Sequence, residues 1–273
     1  MDNILFYKKI KKEKVYIFLI ILLGLIIRSL NFSYFLNFST DQALFATKSL
    51  EIWKNKEITL VGPPISYSYF GRNLFQGSIT YYFQLLFLLP AKFDPIISSY
   101  LFMIFSVFMG IPLYYGVKIL ISKKSALLIL ILYNFLPFYI DYSRFLWNPN
   151  FQFSLTPLLI LFMGFFKKEN KSFLLFTVGF LAGLLSLFHY QYLIIIFGLG
   201  IYYFFIKKNS LRNLFMFLVG IIGGFLPMIV FELKNNFYNL QTLFFYLNNI
   251  NKKILPIFQL VPIICYQFPY SFF

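Results

Sequence analysis

The sequence predicts an all-α polytopic membrane protein, and three observations carry that prediction. Sixty per cent of the 273 residues are apolar and 12% are charged, whereas soluble domains are about half apolar and about a quarter charged. Apolar runs approaching the ~20 residues that cross a hydrocarbon core of ~30 Å recur along the chain. The cations cluster between those runs instead of spreading over a face. Fourteen of the 24 Lys and Arg lie in four short segments: Lys8, Lys9, Lys11, Lys12 and Lys14; Lys118, Lys123 and Lys124; Lys167, Lys168 and Lys171; and Lys207, Lys208 and Arg212. Only Asp2, Glu13 and Glu169 oppose them there, and the positive-inside rule puts all four segments in the cytoplasm. The net charge of +15 is therefore mostly a topology signal, and nucleic acid is excluded as a partner.

The first run, residues 15–35, follows the basic head. Residues Arg28 to Phe38 are bulky or polar and provide no small-residue cleavage site, so this is an uncleaved first span with the N-terminus in the cytoplasm. Further runs cover 96–117, 125–140, 150–166, 172–188, 190–206 and 213–231. An even number of crossings must separate two cytoplasmic loops. The stretch 172–206 is then a hairpin of two short spans turning at His189, and 96–117 is the single crossing between the first outer loop and Lys118. The run 78–91, which ends beyond Pro90, is too short to span and reads as an interfacial or re-entrant helix.

The outcome is about seven complete spans in one module over 1–273. The first extracytoplasmic loop is 36–95, a second is 141–149, and a later one is 232–253. Residues 254–273 open another apolar run containing Pro256, Pro262 and Pro269 before the chain stops, which reads as a fragment. One cysteine, Cys265, and one histidine, His189, exclude a disulfide framework, a cysteine-rich metal site and a His-based zinc centre.

Acids are scarce, and Asp41, Glu51, Glu57, Asp94, Asp141 and Glu232 all fall on the outer side. Ser39 stands three residues before Gln42, the spacing of a capping box, and Ala43, Ala46, Leu50 and Trp53 follow on one predicted helix face. Asp41 then sits in a first turn, where the helix N-terminus favours its ionised form. It is a candidate general base or metal ligand, or an ordinary acidic first turn.

Asp141 and Arg144 are spaced for an ion pair. A guanidinium there reads either as a bidentate phosphate contact or as a helix stop before Trp147-Asn148-Pro149-Asn150. His189 reads as a phosphate donor or proton shuttle, or as a hydrogen-bonded structural residue. Glu232 and Lys234 close the last complete span as site residues or interfacial anchors, and Arg28 and Arg72 add cations on the same side.

These features together resemble the GT-C membrane glycosyltransferases, particularly the family of protein O-mannosyltransferases and lipid A aminoarabinose transferases. The resemblance rests on the basic N-terminus and first span ending near Arg28, and on Asp41 opening the first outer loop. It continues through Gly62-Pro63-Pro64 leading to Tyr81-Tyr82, Ser143-Arg144, Trp147-Asn148-Pro149-Asn150, His189-Tyr190-Gln191 and Phe231-Glu232-Leu233-Lys234.

It implies transfer of a sugar from a polyprenyl-phosphate donor to a protein, lipid or glycan acceptor outside the cytoplasm, usually with inversion, by a multi-pass protein of the plasma (inner) membrane. Asp41 would be the general base or acceptor-positioning group, and Arg144, His189, Arg72, Asp141, Asn148 and Glu232 would line the donor phosphate and substrate site. A divalent metal on Asp41 and Asp141 is an option within the superfamily. Gln42 stands where many relatives carry Glu, and the C-terminal remainder of the family architecture is absent. The competing readings are a transporter or flippase of lipid-linked intermediates and a non-catalytic membrane fragment. A flippase would place ionisable groups within the spans, whereas here they gather outside.

Overall fold

The computed structural model describes the backbone of residues 2–69, 71–206 and 210–250, with side chains for 12–65, 71–204 and 210–249. The side chains of Lys8, Lys9, Lys11, Lys207 and Lys208, and the whole of 254–273 with Cys265 and its prolines, lie outside the described residues.

The described residues are overwhelmingly helical. α1 (Asp2–Ser29) leads to α2 (Thr40–Asn55), a hairpin of β1 (Val61–Tyr69) and β2 (Arg72–Gly77), and α3 (Ile79–Leu88). Then come α4 (Pro95–Phe108), α5 (Gly110–Leu120), α6 (Lys123–Phe135), the short α7 (Pro137–Tyr142), α8 (Asn148–Glu169) and α9 (Ser172–Phe188). A 3-10 turn at Tyr190–Tyr192, α10 (Leu193–Gly200) and a π-helical segment at Ile201–Ile206 precede α11 (Leu211–Lys234) and α12 (Tyr238–Ile250). Among the described residues, three stretches are long and apolar enough to cross a membrane: Pro95–Leu120, Asn148–Glu169 and Leu211–Lys234. Ile79–Leu88, Ser172–Phe188 and Tyr190–Phe204 are shorter apolar helices.

Local chemistry sets the boundaries. Asp94 caps α4 by accepting from the Ile97 amide at 2.8 Å, with Pro95 at the first helical position, where its missing N–H costs nothing. Ser122 accepts from the Ser125 amide at 3.1 Å to start α6. Asn170, at φ 51°, ends α8 in the left-handed conformation that asparagine tolerates. The first helix ends sooner than the apolar run 15–35 suggested: α1 stops at Ser29, and Asn31 turns the chain at φ 48°. The first loop also departs from a purely helical reading. β1 and β2 pair antiparallel with Val61 opposite Gly77 and Tyr69 opposite Arg72, and Gly71 takes φ 70° between them. The alternation Ile65-Ser66-Tyr67-Ser68-Tyr69 before Gly71 was the legible strand signal.

Glycines let the helices touch backbone to backbone. A Cβ on Gly220 of α11 would stand 2.2 Å from the Phe176 carbonyl oxygen of α9, and one on Gly179 of α9 would stand 2.2 Å from that of Phe217. Gly183 and Gly224 continue the seam, giving each helix a pair of glycines four apart, the small-residue spacing of close membrane-helix contacts. Gly116 of α5 repeats the arrangement against α8, 2.7 Å from the Leu161 amide nitrogen. Around these seams, Phe87, Phe102, Phe151 and Phe188 form one buried cluster. Ile17, Met103, Tyr114 and Leu130 belong to a second, which joins α1 to α4, α5 and α6.

The two ends of the bundle differ chemically. At one end Glu13 of α1 accepts from Lys118 at 2.5 Å, Lys123 at 2.9 Å and the Tyr114 hydroxyl at 2.9 Å, and Lys167 of α8 donates to the Leu120 carbonyl. The residues that carry the sequence motifs lie at the opposite ends of the same helices. Burial would raise the Glu13 pKa, but the hydrogen bonds from Lys118, Lys123 and Tyr114 prevail and hold it from an ordinary 4.5 down to about 2.

Two outcomes follow from this packing. Gly220→Ala should destabilise the detergent-solubilised protein by about 1–3 kcal/mol. Gly223→Ala, whose Cβ would meet only a Phe180 ring carbon at 3.5 Å, should unfold as wild type does, so equal melting curves for the two would refute the seam. Because the folded Glu13 pKa is depressed, its contribution is complete above the unfolded value and is lost as pH falls toward 2. The stability advantage of wild type over Glu13→Gln should therefore shrink as unfolding is measured from pH 5 downwards.

Candidate functional site

The motif residues fall into three groups at this second end of the bundle. The first surrounds Arg144, just beyond α7. Its buried guanidinium donates from Nε to the Arg28 carbonyl at 3.3 Å and from Nη2 to the Ile27 carbonyl at 3.5 Å. It lies 4.9 Å from the Phe35 ring centroid and pairs with Asp141 at 3.6 Å. Arg144 thus closes the C-terminus of α1. Asp141 is largely exposed; partial desolvation raises its pKa and the Arg144 charge lowers it, the first effect prevailing. Arg28 is fully buried, donates from Nη2 to the Tyr133 carbonyl at 2.6 Å, and has no partner for Nε or Nη1.

The second group is the start of α2. The capping box forms: the Gln42 side-chain oxygen accepts from the Ser39 amide at 2.8 Å. Asp41 follows in the first turn, exposed, with no hydrogen bond or ion pair to another described residue. The buried face of α2 is Gln42, Phe45, Ser49 and Ile52, one residue away from the expected Ala43, Ala46, Leu50 and Trp53 stripe. Ser49 has a partner inside: Gln84 of α3 donates to its hydroxyl at 2.6 Å and to the Phe45 carbonyl at 2.5 Å. Ser49 in turn donates to the Tyr81 carbonyl at 3.1 Å. Hydrophobic periodicity is blind to such a pairing, since it assigns polar residues to the outside.

The third group is built around β2. Asn148, at the start of α8, donates to the Gln76 side chain and, at 2.9 Å, to the Phe188 carbonyl. Gln152, one turn on, donates to the carbonyls of Leu185 at 2.8 Å and His189 at 2.6 Å. Together they satisfy the last carbonyls of α9, which have no partner within their own helix. His189 accepts at Nδ1 from the Gln191 amide at 3.4 Å, which assigns the proton of the neutral ring to Nε2. Gly77 lets the hairpin lie on α9, where a Cβ would come within 2.4 Å of that of Leu187.

From the other side Asn239 of α12 exchanges hydrogen bonds with Phe75, accepting from its amide at 2.9 Å and donating to its carbonyl at 3.2 Å. Glu232 accepts from the Asn239 and Leu240 amides at 3.2 and 3.3 Å, so its buried carboxylate caps the start of α12. Arg72 lies with its guanidinium 4.8 Å from the Phe245 ring centroid. The structure therefore joins Asp141 to Arg144, and links Arg72, Asn148, His189 and Glu232 through β2. It gives Asp41 no direct contact with either set. Gln76, Gln152 and Asn239, which bind this region together, were not legible as site residues, because an isolated amide in an apolar or loop segment has no spacing signature.

Residues 68–231 match the family of dolichyl-phosphate-mannose-protein mannosyltransferases. The chain belongs to that family. It is a membrane glycosyltransferase of the GT-C type, as the motifs and the apolar helices together indicate. No curated protein and no solved structure matches it. Within this transferase, Arg72, Asp141, Arg144, Asn148 and His189 lie inside the matched residues, while Asp41 precedes them and Glu232 follows directly.

Among the described residues no three His, Cys, Asp or Glu side chains converge as a metal site. Asp41 and Asp141 alone do not make the oxygen-rich shell that a hard divalent cation takes.

Asn148→Ala would strip the partners from the Phe188 carbonyl and the Gln76 side chain. It should cost about 1–3 kcal/mol of stability, read as a lower unfolding midpoint. An unchanged midpoint would show that the amide is not a structural tie.

Proposed function

We propose that this transferase moves a sugar from a polyprenyl-phosphate donor to an acceptor hydroxyl on the extracytoplasmic face of the plasma membrane. The chain would do so as a single module of about seven spans with a cytoplasmic N-terminus. Family membership supports the class of reaction. The lysine clusters support the orientation, and the segregation of Glu13, Lys118, Lys123 and Lys167 from the motif residues agrees with it.

The observation that carries the assignment of the base is the state of Asp41. It is exposed in the first turn of α2, with no hydrogen bond or ion pair to another described residue. Asp141 pairs with Arg144, and Glu232 is spent on α12.

In the proposed reaction the acceptor oxygen attacks the anomeric carbon from the face opposite the phosphate, and the bond from that carbon to the phosphate oxygen breaks. Asp41 takes the acceptor proton, and polyprenyl phosphate leaves with its electron pair. Arg144, Arg72 and the Nε2–H of His189 offset the charge on the departing phosphate. Gln42, engaged with Ser39, supplies no second carboxylate. Asn148 and Glu232 act behind the site, as ties that hold β2, α9 and α12 in place. Asp141 orients Arg144.

Asp41→Asn should leave the unfolding midpoint unchanged and lower product formation from polyprenyl-phosphate sugar by about 10²–10⁴-fold, measured on purified protein in detergent without a membrane gradient. Wild-type turnover by Asp41→Asn would remove it from the mechanism. Movement of intact lipid-linked sugar between vesicle leaflets, with no new glycosidic bond, would replace the transferase reading with the flippase one.

A further inference from the structure

The proposed reaction leaves the basic end of the bundle unexplained. There a cavity of about 460 Å³ opens between the ends of α5 and α8 and the π-helical segment. Its volume lies in the range of small-molecule and lipid sites. Leu120, Ile121, Met163 and Phe166 supply apolar wall, and among the described residues Lys167 is the one charged residue that lines it, with Asn170 beside it. The cavity is remote from the motif residues: α8 runs from Asn148 to Glu169, and at 1.5 Å per residue its two ends are about 30 Å apart.

The neighbouring lysines are largely committed, Lys118 and Lys123 to Glu13 and Lys171 to Glu169. Lys167 forms no ion pair with a carboxylate among the described residues; it donates to the Leu120 carbonyl, and an ammonium has three donors. An apolar cleft with one cation at its rim, set among lysine clusters at one end of a membrane bundle, has the chemistry of a lipid chain below an anionic head group. Basic pockets between membrane helices on the cytoplasmic side bind such head groups. The π-helical turn that contributes Tyr202 and Tyr203 to the wall is a distortion that recurs at functional sites.

We propose that this cavity binds one anionic phospholipid, with its phosphate on Lys167 and an acyl chain against Leu120, Ile121, Met163 and Phe166. The ligand is a resident lipid of the leaflet opposite the catalytic face and is distinct from the sugar donor.

The test uses the full chain in neutral detergent, titrated with phosphatidylglycerol, phosphatidylcholine or water-soluble glycerol phosphate, with bound lipid counted by native mass spectrometry and stability followed by thermal unfolding. Phosphatidylglycerol should be retained and raise the unfolding midpoint, while phosphatidylcholine and glycerol phosphate should do neither. Lys167→Gln should weaken retention about tenfold, the worth of one charge-assisted hydrogen bond. Lys167→Arg should preserve it. Met163→Trp, which adds bulk to the apolar wall and leaves Lys167 in the sequence, should abolish retention while the protein stays folded, and Lys124→Gln should have no effect. Equal retention of the two lipids, stabilisation by glycerol phosphate alone, or wild-type retention by Lys167→Gln or Met163→Trp would overturn the proposal. Each of these results is independent of whether Asp41 is the base.

Discussion

The last four carbonyls of an α-helix have no partner inside it, and near a hydrocarbon layer water does not make up the difference. In this protein long polar side chains from other parts of the chain close those ends. Arg144 caps α1 at Ile27 and Arg28, Asn148 and Gln152 cap α9 at Leu185, Phe188 and His189, and Lys167 caps α5 at Leu120. Glu232 performs the converse task at the N-terminus of α12. Apart from those of Glu232, these contacts join segments distant in sequence, so satisfying the helix ends also fixes how the bundle is assembled.

This constraint gives the motif residues a double character. Arg144 is part of the joint between α1 and the loop before α8, and its cation stands at the end of the bundle where a phosphate would lie. Asn148 secures β2 to α9, and β2 is in turn where α12 and the 3-10 turn meet: Asn239 bonds Phe75, and the Tyr190 hydroxyl donates to the Phe75 carbonyl. The strand thus gathers four parts of the chain around the proposed site. Rigid support of this kind is what a transferase needs if charged groups are to be held ready for a developing phosphate charge. Asp41 has no such tie among the described residues, which suits the role of base proposed for it.

Buried polar residues such as Arg28 and Asn134 show how far the interior departs from a simple apolar filling. Arg28 leaves two nitrogens without partners, and Asn134 leaves its side-chain oxygen so, packed within 2.6 Å of where a Cβ on Gly24 would stand. The glycine is therefore required where the asparagine is, and the two helices that carry them approach closely because of it.

The sequence by itself determined what depends on composition and local spacing. The apolar runs marked the helices at 96–117, 150–166, 172–188 and 213–231, the lysine clusters separated one end of the bundle from the other, and Ser39 with Gln42 marked the start of α2. The Asp141 and Arg144 spacing foretold their ion pair, and the family was legible in the order of the short motifs. The tertiary structure alone decided which face of α2 is buried, that Glu232 and Asn148 are spent on holding helix ends, and that residues 61–77 form a hairpin clasped between α9 and α12. It also decided that Gly179, Gly183, Gly220 and Gly224 form one seam. The physical reason is common to all of these. Periodicity reports the hydropathy of single residues, whereas a buried amide or an absent Cβ acquires its role only from the atoms that another helix places within hydrogen-bonding or van der Waals reach.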